Sequence, residues 1–260
     1  MKYWIERNLK TQTSLANKSI KETEKQLTKY YKRAMNGAIK DFEATYDKLL
    51  LTVGEGKEVS PANLYRLDKY WQLQGELKHI LQVLGDKQVE VLSKQFAMTY
   101  MSIYNALAIP GEVSFNSADL VVAQQIINQI WCADGKSWSN RIWKNTDMLQ
   151  QALNDSLIEC VVSGKKTTEL KQMLMREFDV SYSRADALVR TEIAHIQTQA
   201  SKDRYTNYGI QEVEIWADED ERRCDICGNL HQKRYPIGAV VPIPAHPRCR
   251  CCIVPVVETE

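Results

Sequence analysis

Two short cysteine motifs near the C-terminus constrain this chain more than anything else in it. Cys224-x-x-Cys227 is followed, after eighteen intervening residues, by His246-x-x-Cys249, with Cys251 and Cys252 directly behind. A CxxC turn aims two thiolates at one ion, and a second knuckle completes the tetrahedron of N and S donors that zinc prefers. The spacing predicts Cys224, Cys227, His246 and Cys249 as the ligands, because His-x-x-Cys mirrors Cys-x-x-Cys. Cys251 is a fifth donor for four places and can stand in for His246 or Cys249. Cys252 steps to the other face of an extended stretch and is expected to pack. His231 lies in a turn without a partner knuckle. Four protein donors leave no open position for water, so the expected Zn2+ is structural rather than catalytic.

The rest of the chain says where such a site is used. Five of the seven cysteines follow residue 223. The N-terminus has no apolar segment long enough for a signal peptide, and no run reaches the length of a membrane span. A reducing compartment is expected, and there clustered cysteines favour a metal over disulfides. Lysine and arginine total 34 against 33 acids, for a net charge of +1. Strong nonspecific DNA binding is therefore not expected, since it depends on neutralising many phosphates.

The texture is helical up to Gly209. Leu27, Tyr31, Ala34, Ala38, Phe42, Tyr46 and Leu49 recur at steps of three and four, one face of a long helix. "VGEGKEVSP", 53–61, breaks it, with Ser60 and Pro61 as cap and first position of a second helix. That helix is expected to stop near Gly85, with a third running on to about Leu107. "AIPGEVSFNS", 108–117, reads as a boundary. Leu120, Val121, Ile126, Ile127 and Ile130 read as one apolar face. Trp131, Trp138 and Trp143 read as packing anchors. A helix through Leu149, Leu153, Leu157 and Val161 should end at Gly164. Thr167 or Thr168 would cap the next, and a further long helix would start at Ser183. After Gly209, "QEVEIWAD" alternates Val213, Ile215 and Ala217 like a strand, and "GAVVPIPAH" and "CCIVPVV" are short, β-branched and punctuated by proline. The expected fold is mainly α: a helical arm over 1–110, a helical part over 111–209, and a small β-rich zinc-stapled lobe over 210–260.

Other chemistry is thinner. Arg190, Thr191, Glu192 and His195 share one predicted helix, where Glu192 and His195, three apart, can meet as an ion pair or an acid/base pair. No nucleophile or phosphate loop accompanies them. Asp218 and Asp220 can hold a cation or form a solvated turn. Arg222, Arg223, Arg248 and Arg250 flank the cysteines, to meet phosphate or to offset thiolate charge.

The ordered set "DGKSWSNRIW", "SGKK", "LVRTEIAHIQTQA", "YTNYGI", "EIWADEDERRCDICGNL" and "VPIPAHPRCRC" resembles the head morphogenesis, or Mu F-like minor head protein, family of tailed bacteriophages. The likeness spans roughly 115–257, and the helical first 110 residues resemble the leading part of minor head proteins of phages of Gram-positive bacteria. It implies a minor capsid protein that associates with the portal, with major capsid or scaffold protein as further partners and DNA at most a weak contact. It implies location in the virion, after assembly in the host cytoplasm, and no enzymatic activity. The motif positions carried over are Arg190, Thr191, Glu192, Asp220, Cys224, Cys227, His246, Cys249, Arg250 and Cys251. Some relatives keep HxxCRC without the CxxC. Others add a C-terminal toxin or transferase domain, for which no room is expected after Glu260. The rival reading is a metal-dependent nuclease or other DNA-processing enzyme presenting His231 or His246. The helical arm, too thin for a large core of its own, is expected to cover its apolar stripe with the C-terminal domain or with a partner.

Overall fold

The computed structural model describes residues 2–53, 60–66, 68–109, 117–218, 220–221 and 223–257. The elements are α1 (Lys2–Val53), α2 (Pro61–Tyr65), α3 (Asp68–Ala106), α4 (Leu120–Ile127), α5 (Trp138–Val162), α6 (Thr167–Asn207), β1 (Glu212–Trp216), α7 (Asp225–Leu230), β2 (Arg234–Pro236) and β3 (Cys252–Pro255). The fold is mainly helical with a small antiparallel sheet near its C-terminus, ordered β2-β1-β3. β1 pairs Glu214 with Arg234 on one side and Ile215 with Ile253 on the other. Val213, Ile215 and Ala217 are buried as expected, but burial along the central strand does not alternate: Glu214 is buried as well, its carboxylate accepting from Trp216 and Arg234. The 53–61 break and the 108–117 boundary lie largely outside the described residues, but Leu64 N–H does bond the Ser60 carbonyl.

The chain forms two compact units. The first takes Met1–Glu24, Val91–Trp138 and Ala187–Glu260; the second takes Lys25–Glu90 and Ser139–Asp186. In the second unit the stripe from Tyr31 to Leu49 joins Leu73, Leu77, Leu81, Leu149, Leu153, Leu157, Leu174 and Phe178 in one buried core. The chain itself therefore covers the stripe. Tyr46 is fully buried and its hydroxyl donates to the Cys160 and Lys165 carbonyls, at the turn where α5 ends. Gly164 (φ 58°) supplies the left-handed residue of that turn, and Gly209 (φ 76°) does the same after α6, as their sequence positions indicated.

Two helix boundaries and one strand differ from expectation. α3 runs straight through Gly85. That glycine is there for contact, not termination: a Cβ on it would lie 2.4 Å from Cζ3 of Trp143. The helix expected after Thr167 or Thr168 and the further one expected from Ser183 are a single unbroken α6, and the Glu169 side chain accepts from Lys166 N–H at its start, so neither threonine is the cap. Residues 238–246 form no strand; they hold a short 3-10 turn at Ile237–Ala239 and the cis Ile243–Pro244 bond. Gly75, also in α3, has nothing within 4 Å of a Cβ. Gly75→Ala should therefore stabilise by about 1 kcal/mol through helix propensity. Gly85→Ala should destabilise, because overpacking of about 1–3 kcal/mol exceeds that gain. Urea titration of the two variants would read the opposite signs.

In the first unit the buried face of α1 is polar. Asn8, Gln12, Ser19 and Thr23, at steps of four and seven with the buried Ala16 among them, are all under 5% exposed. Asn8 donates to and accepts from the Ala108 backbone. Gln12 donates to the Ile253 carbonyl of β3 at 2.9 Å and accepts from the Ser201 hydroxyl of α6 at 3.0 Å. Ser19 bonds Thr99 of α3 at 2.5 Å and accepts from Gln95. Such groups are tolerated in an interior only when hydrogen-bonded, and these are.

Candidate metal centre

The first knuckle is a short helical turn. Cys224 caps α7, its Sγ accepting from Cys227 N–H at 3.4 Å, which turns both thiols to one side. The second knuckle is a tight turn closed by Cys249 N–H to the His246 carbonyl, with Arg248 at φ 61°. His246 Nδ1 lies 2.8 Å from the Pro247 carbonyl. That bond places the proton on Nδ1 and leaves Nε2 as the donor atom facing the cysteines. Nε2 is 3.2 Å from Cys224 Sγ and 3.1 Å from Cys227 Sγ, and Cys227 Sγ is 3.7 Å from Cys249 Sγ.

Two thiolates on one tetrahedral zinc sit about 3.8 Å apart, and a thiolate and an imidazole about 3.6 Å, given bonds of about 2.3 and 2.05 Å. The cluster fits, with the imidazole slightly close. Its donors form two triads, Cys224–Cys227–His246 and Cys227–Cys249–Cys251, each with ligand atoms within 4.8 Å of one another. The cluster can hold a metal. Cys251 thus stands inside it beside the four residues expected from spacing. The Cys251 thiol hydrogen-bonds Cys249, pulling Cys249 down and pushing Cys251 up, while burial pushes Cys227 up. Thiols this close resist ionising together unless a cation lies among them. Cys252 packs away from the cluster as expected, with Gln197 donating to its Sγ at 2.8 Å.

Helix α6 holds the second knuckle. Thr191 Oγ1 donates to the Ala187 carbonyl and accepts from Arg248 N–H at 3.1 Å, steadying the left-handed residue at the knuckle's tip. Arg190 pairs with Glu24 of α1. Arg250 forms a fork onto Asp220 at 2.7 and 2.5 Å and also reaches Asp218 at 2.7 Å. The two aspartates therefore grip an arginine, and Arg250 offsets carboxylates. Arg222 lies outside the described residues. A cavity of about 200 Å³ opens beside the knuckle, lined by Thr13, Asn17, Arg190, Gln197, Arg248 and Arg250 among others. His231 is no part of the cluster: its Nδ1 accepts from Ala217 N–H, and its ring meets Trp216 edge-on.

Glu192 and His195 meet through a tryptophan. Trp131 Nε1 donates to Glu192 Oε2 at 2.9 Å, and its ring stacks on His195 with centroids 4.2 Å apart and planes 9° apart. Trp138 is buried, donates to the Ile127 carbonyl and sets its ring edge-on to Phe96. Trp143 fills the space over Gly85. All three tryptophans pack, as expected. The apolar face expected on α4 is only partly used: Ala123 and Ile127 are buried, while Leu120, Val121 and Ile130 are at least half exposed.

Burial lowers the His195 pKa from 6.5 to about 4, against a hydrogen bond to the Ile243 backbone that favours the proton. Between those values the unfolded chain binds a proton that the folded one refuses. Stability is therefore full above pH 6.5 and falls as pH drops toward 4, by about 3 kcal/mol at most. Urea midpoints from pH 7 to pH 5 should fall more steeply for the wild type than for His195→Gln. Equal slopes would show that His195 is not held neutral.

Residues 151–254 match a family model described as Phage Mu protein F like protein. The chain is also similar to the NAD(+)--arginine ADP-ribosyltransferase EFV of Enterococcus faecalis (strain ATCC 700802 / V583), at 23% identity over 270 residues, covering 94% of this chain and 53% of that protein. The chain thus spans about half the length of that curated relative. No solved structure matches it. The stretch that matches the phage Mu protein F-like model contains helix α6, strands β1 and β2, all but the last residue of β3, and both cysteine knuckles.

Proposed function

We propose that this chain is a minor head protein of a tailed bacteriophage, docking on the portal during head assembly and carried in the virion, with its cysteine lobe stapled by one structural zinc ion. The match of residues 151–254 to the phage Mu protein F-like model supports the general assignment. The observation that carries the finer reading is the use to which the motif residues are put. Arg190 grips Glu24, Thr191 holds the Arg248 backbone, Glu192 takes the Trp131 indole, and Arg250 is forked by Asp220. Each of these contacts joins elements within the first unit.

An acid/base pair needs access to a substrate, and here the carboxylate is 4% exposed and the imidazole is stacked. A zinc ion with four N/S donors has no place for a reacting water, which supports a structural ion. The activity printed for the enterococcal relative belongs to a protein of which the match covers about half. Within this reading, 1–110 provides much of the docking surface, 111–209 the scaffold and 210–260 the zinc lobe. Portal is the first partner, with major capsid or scaffold protein beside it, and assembly proceeds in the host cytoplasm.

Co-expression with the portal protein of the same phage should recover the full chain in a stoichiometric complex by size-exclusion chromatography. Purified chain incubated with supercoiled DNA and magnesium, manganese or zinc should leave it intact. No association with portal would remove the docking reading. Nicking that vanishes in Glu192→Gln or His231→Ala protein of unchanged fold would install a nuclease in its place.

A further inference from the structure

We infer that Cys251 is a fifth donor of the metal site, interchangeable with Cys249, and that Cys227 is the ligand every arrangement of the ion retains. This deepens the zinc reading above and rests on it. Cys227 is the one residue common to both triads. Cys224 and His246 sit at the half-exposed edge of the cluster, and Cys227, Cys249 and Cys251 at its buried side. An ion seated on Cys224, Cys227 and His246 needs one more donor. Cys249 lies 3.7 Å from Cys227, close to the separation two zinc thiolates adopt, and Cys251 lies within the same 4.8 Å reach of both.

The chain's period explains why two donors face one place. Residues i and i+2 of an extended stretch point the same way and i+3 the other. Cys249 and Cys251 accordingly face the cluster together, whereas Cys252 meets Gln197. Arg250 between them is clamped by Asp218 and Asp220, which fixes this segment against the first knuckle's leading turn. The ion can therefore exchange Cys249 for Cys251 without leaving Cys227, while the Arg250 clamp keeps the segment in place.

Cobalt(II) distinguishes the cases, because its thiolate charge-transfer band grows with each coordinated sulfur. Full-length wild type, Cys249→Ser and Cys251→Ser should each bind one cobalt per chain with a three-thiolate band. Cys249→Ser/Cys251→Ser should drop to two thiolates or bind none, and Cys227→Ser should bind none. A two-thiolate band or loss of cobalt in Cys249→Ser of native circular dichroism would overturn the proposal, as would a four-thiolate band in the wild type. Cys249→Ala covers the case that a serine hydroxyl disturbs the buried site. Should neither variant fold with metal supplied, the proposal also fails, since Cys251 should have held the lobe. Wild-type protein that takes up no cobalt or zinc would sink the zinc reading itself, a result distinct from any of these.

Discussion

Cys227→Ser will lose the metal and with it the ordered C-terminal lobe, the largest effect expected of any single substitution in this chain. Cys227 is buried, lies within bonding reach of His246 and Cys249, and belongs to both donor triads. In isolated zinc modules the ion supplies about 10–16 kcal/mol of apparent folding free energy, enough to decide whether they fold at all. Here a three-stranded sheet adds support, but β2 and β3 are only three and four residues long. Hydrogen exchange should show residues 212–257 losing protection in Cys227→Ser, and equally in wild type stripped by a strong chelator. Amides of α5 and of 31–49, which sit in the second unit's own core, should keep theirs. Protection unchanged after metal removal would mean that the sheet and the Gln12 contacts suffice without an ion.

Deleting residues 2–24 should be nearly as damaging, and to the same unit. That segment supplies Asn8, Gln12, Ser19 and Thr23, whose partners include Ala108, Ile253, Ser201 and Thr99. Removing them strands carbonyls and hydroxyls at about 1–3 kcal/mol each, in sum comparable to the whole stability of a domain of this size. The truncated protein should lose its cooperative unfolding transition for the first unit and bind zinc weakly. Gln12→Leu offers a milder version, with a loss of about 2 kcal/mol read by urea titration. A truncated chain that keeps full zinc affinity would show the lobe to be independent of α1. Portal-binding experiments with chains truncated at the N-terminus need this control, because loss of binding would otherwise mix a missing surface with a missing fold.

How much of this was legible beforehand depended on whether a residue's role was written in its type. The stripe from Leu27 to Leu49 was readable because apolar side chains at helical spacing have one common use, and every member is buried. The polar seam from Asn8 to Thr23 has the same spacing but is spelled in residues that usually face water, so its burial depended on partners up to 241 positions away. Gly85 looked like a helix end because glycine disfavours helices; the reason for it was an indole from another helix. The cysteine cluster was visible as two knuckles, and Cys251 as a surplus donor. That Cys227 joins two triads required coordinates. So did Trp131, which links Glu192 to His195 across more than sixty positions and carries no motif of its own.

The Gln12–Ile253 bond also sets a schedule for synthesis. The first helix emerges from the ribosome long before the strand it must meet, and closure of that contact waits until residue 253 is free. During that interval an apolar face would invite aggregation, as exposed hydrophobic surface does in partly made proteins. The face held in waiting presents an asparagine, a glutamine, a serine and a threonine, which water satisfies as readily as the finished protein does. The amides and hydroxyls that make the closed unit specific are thus also what keeps its unfinished half soluble.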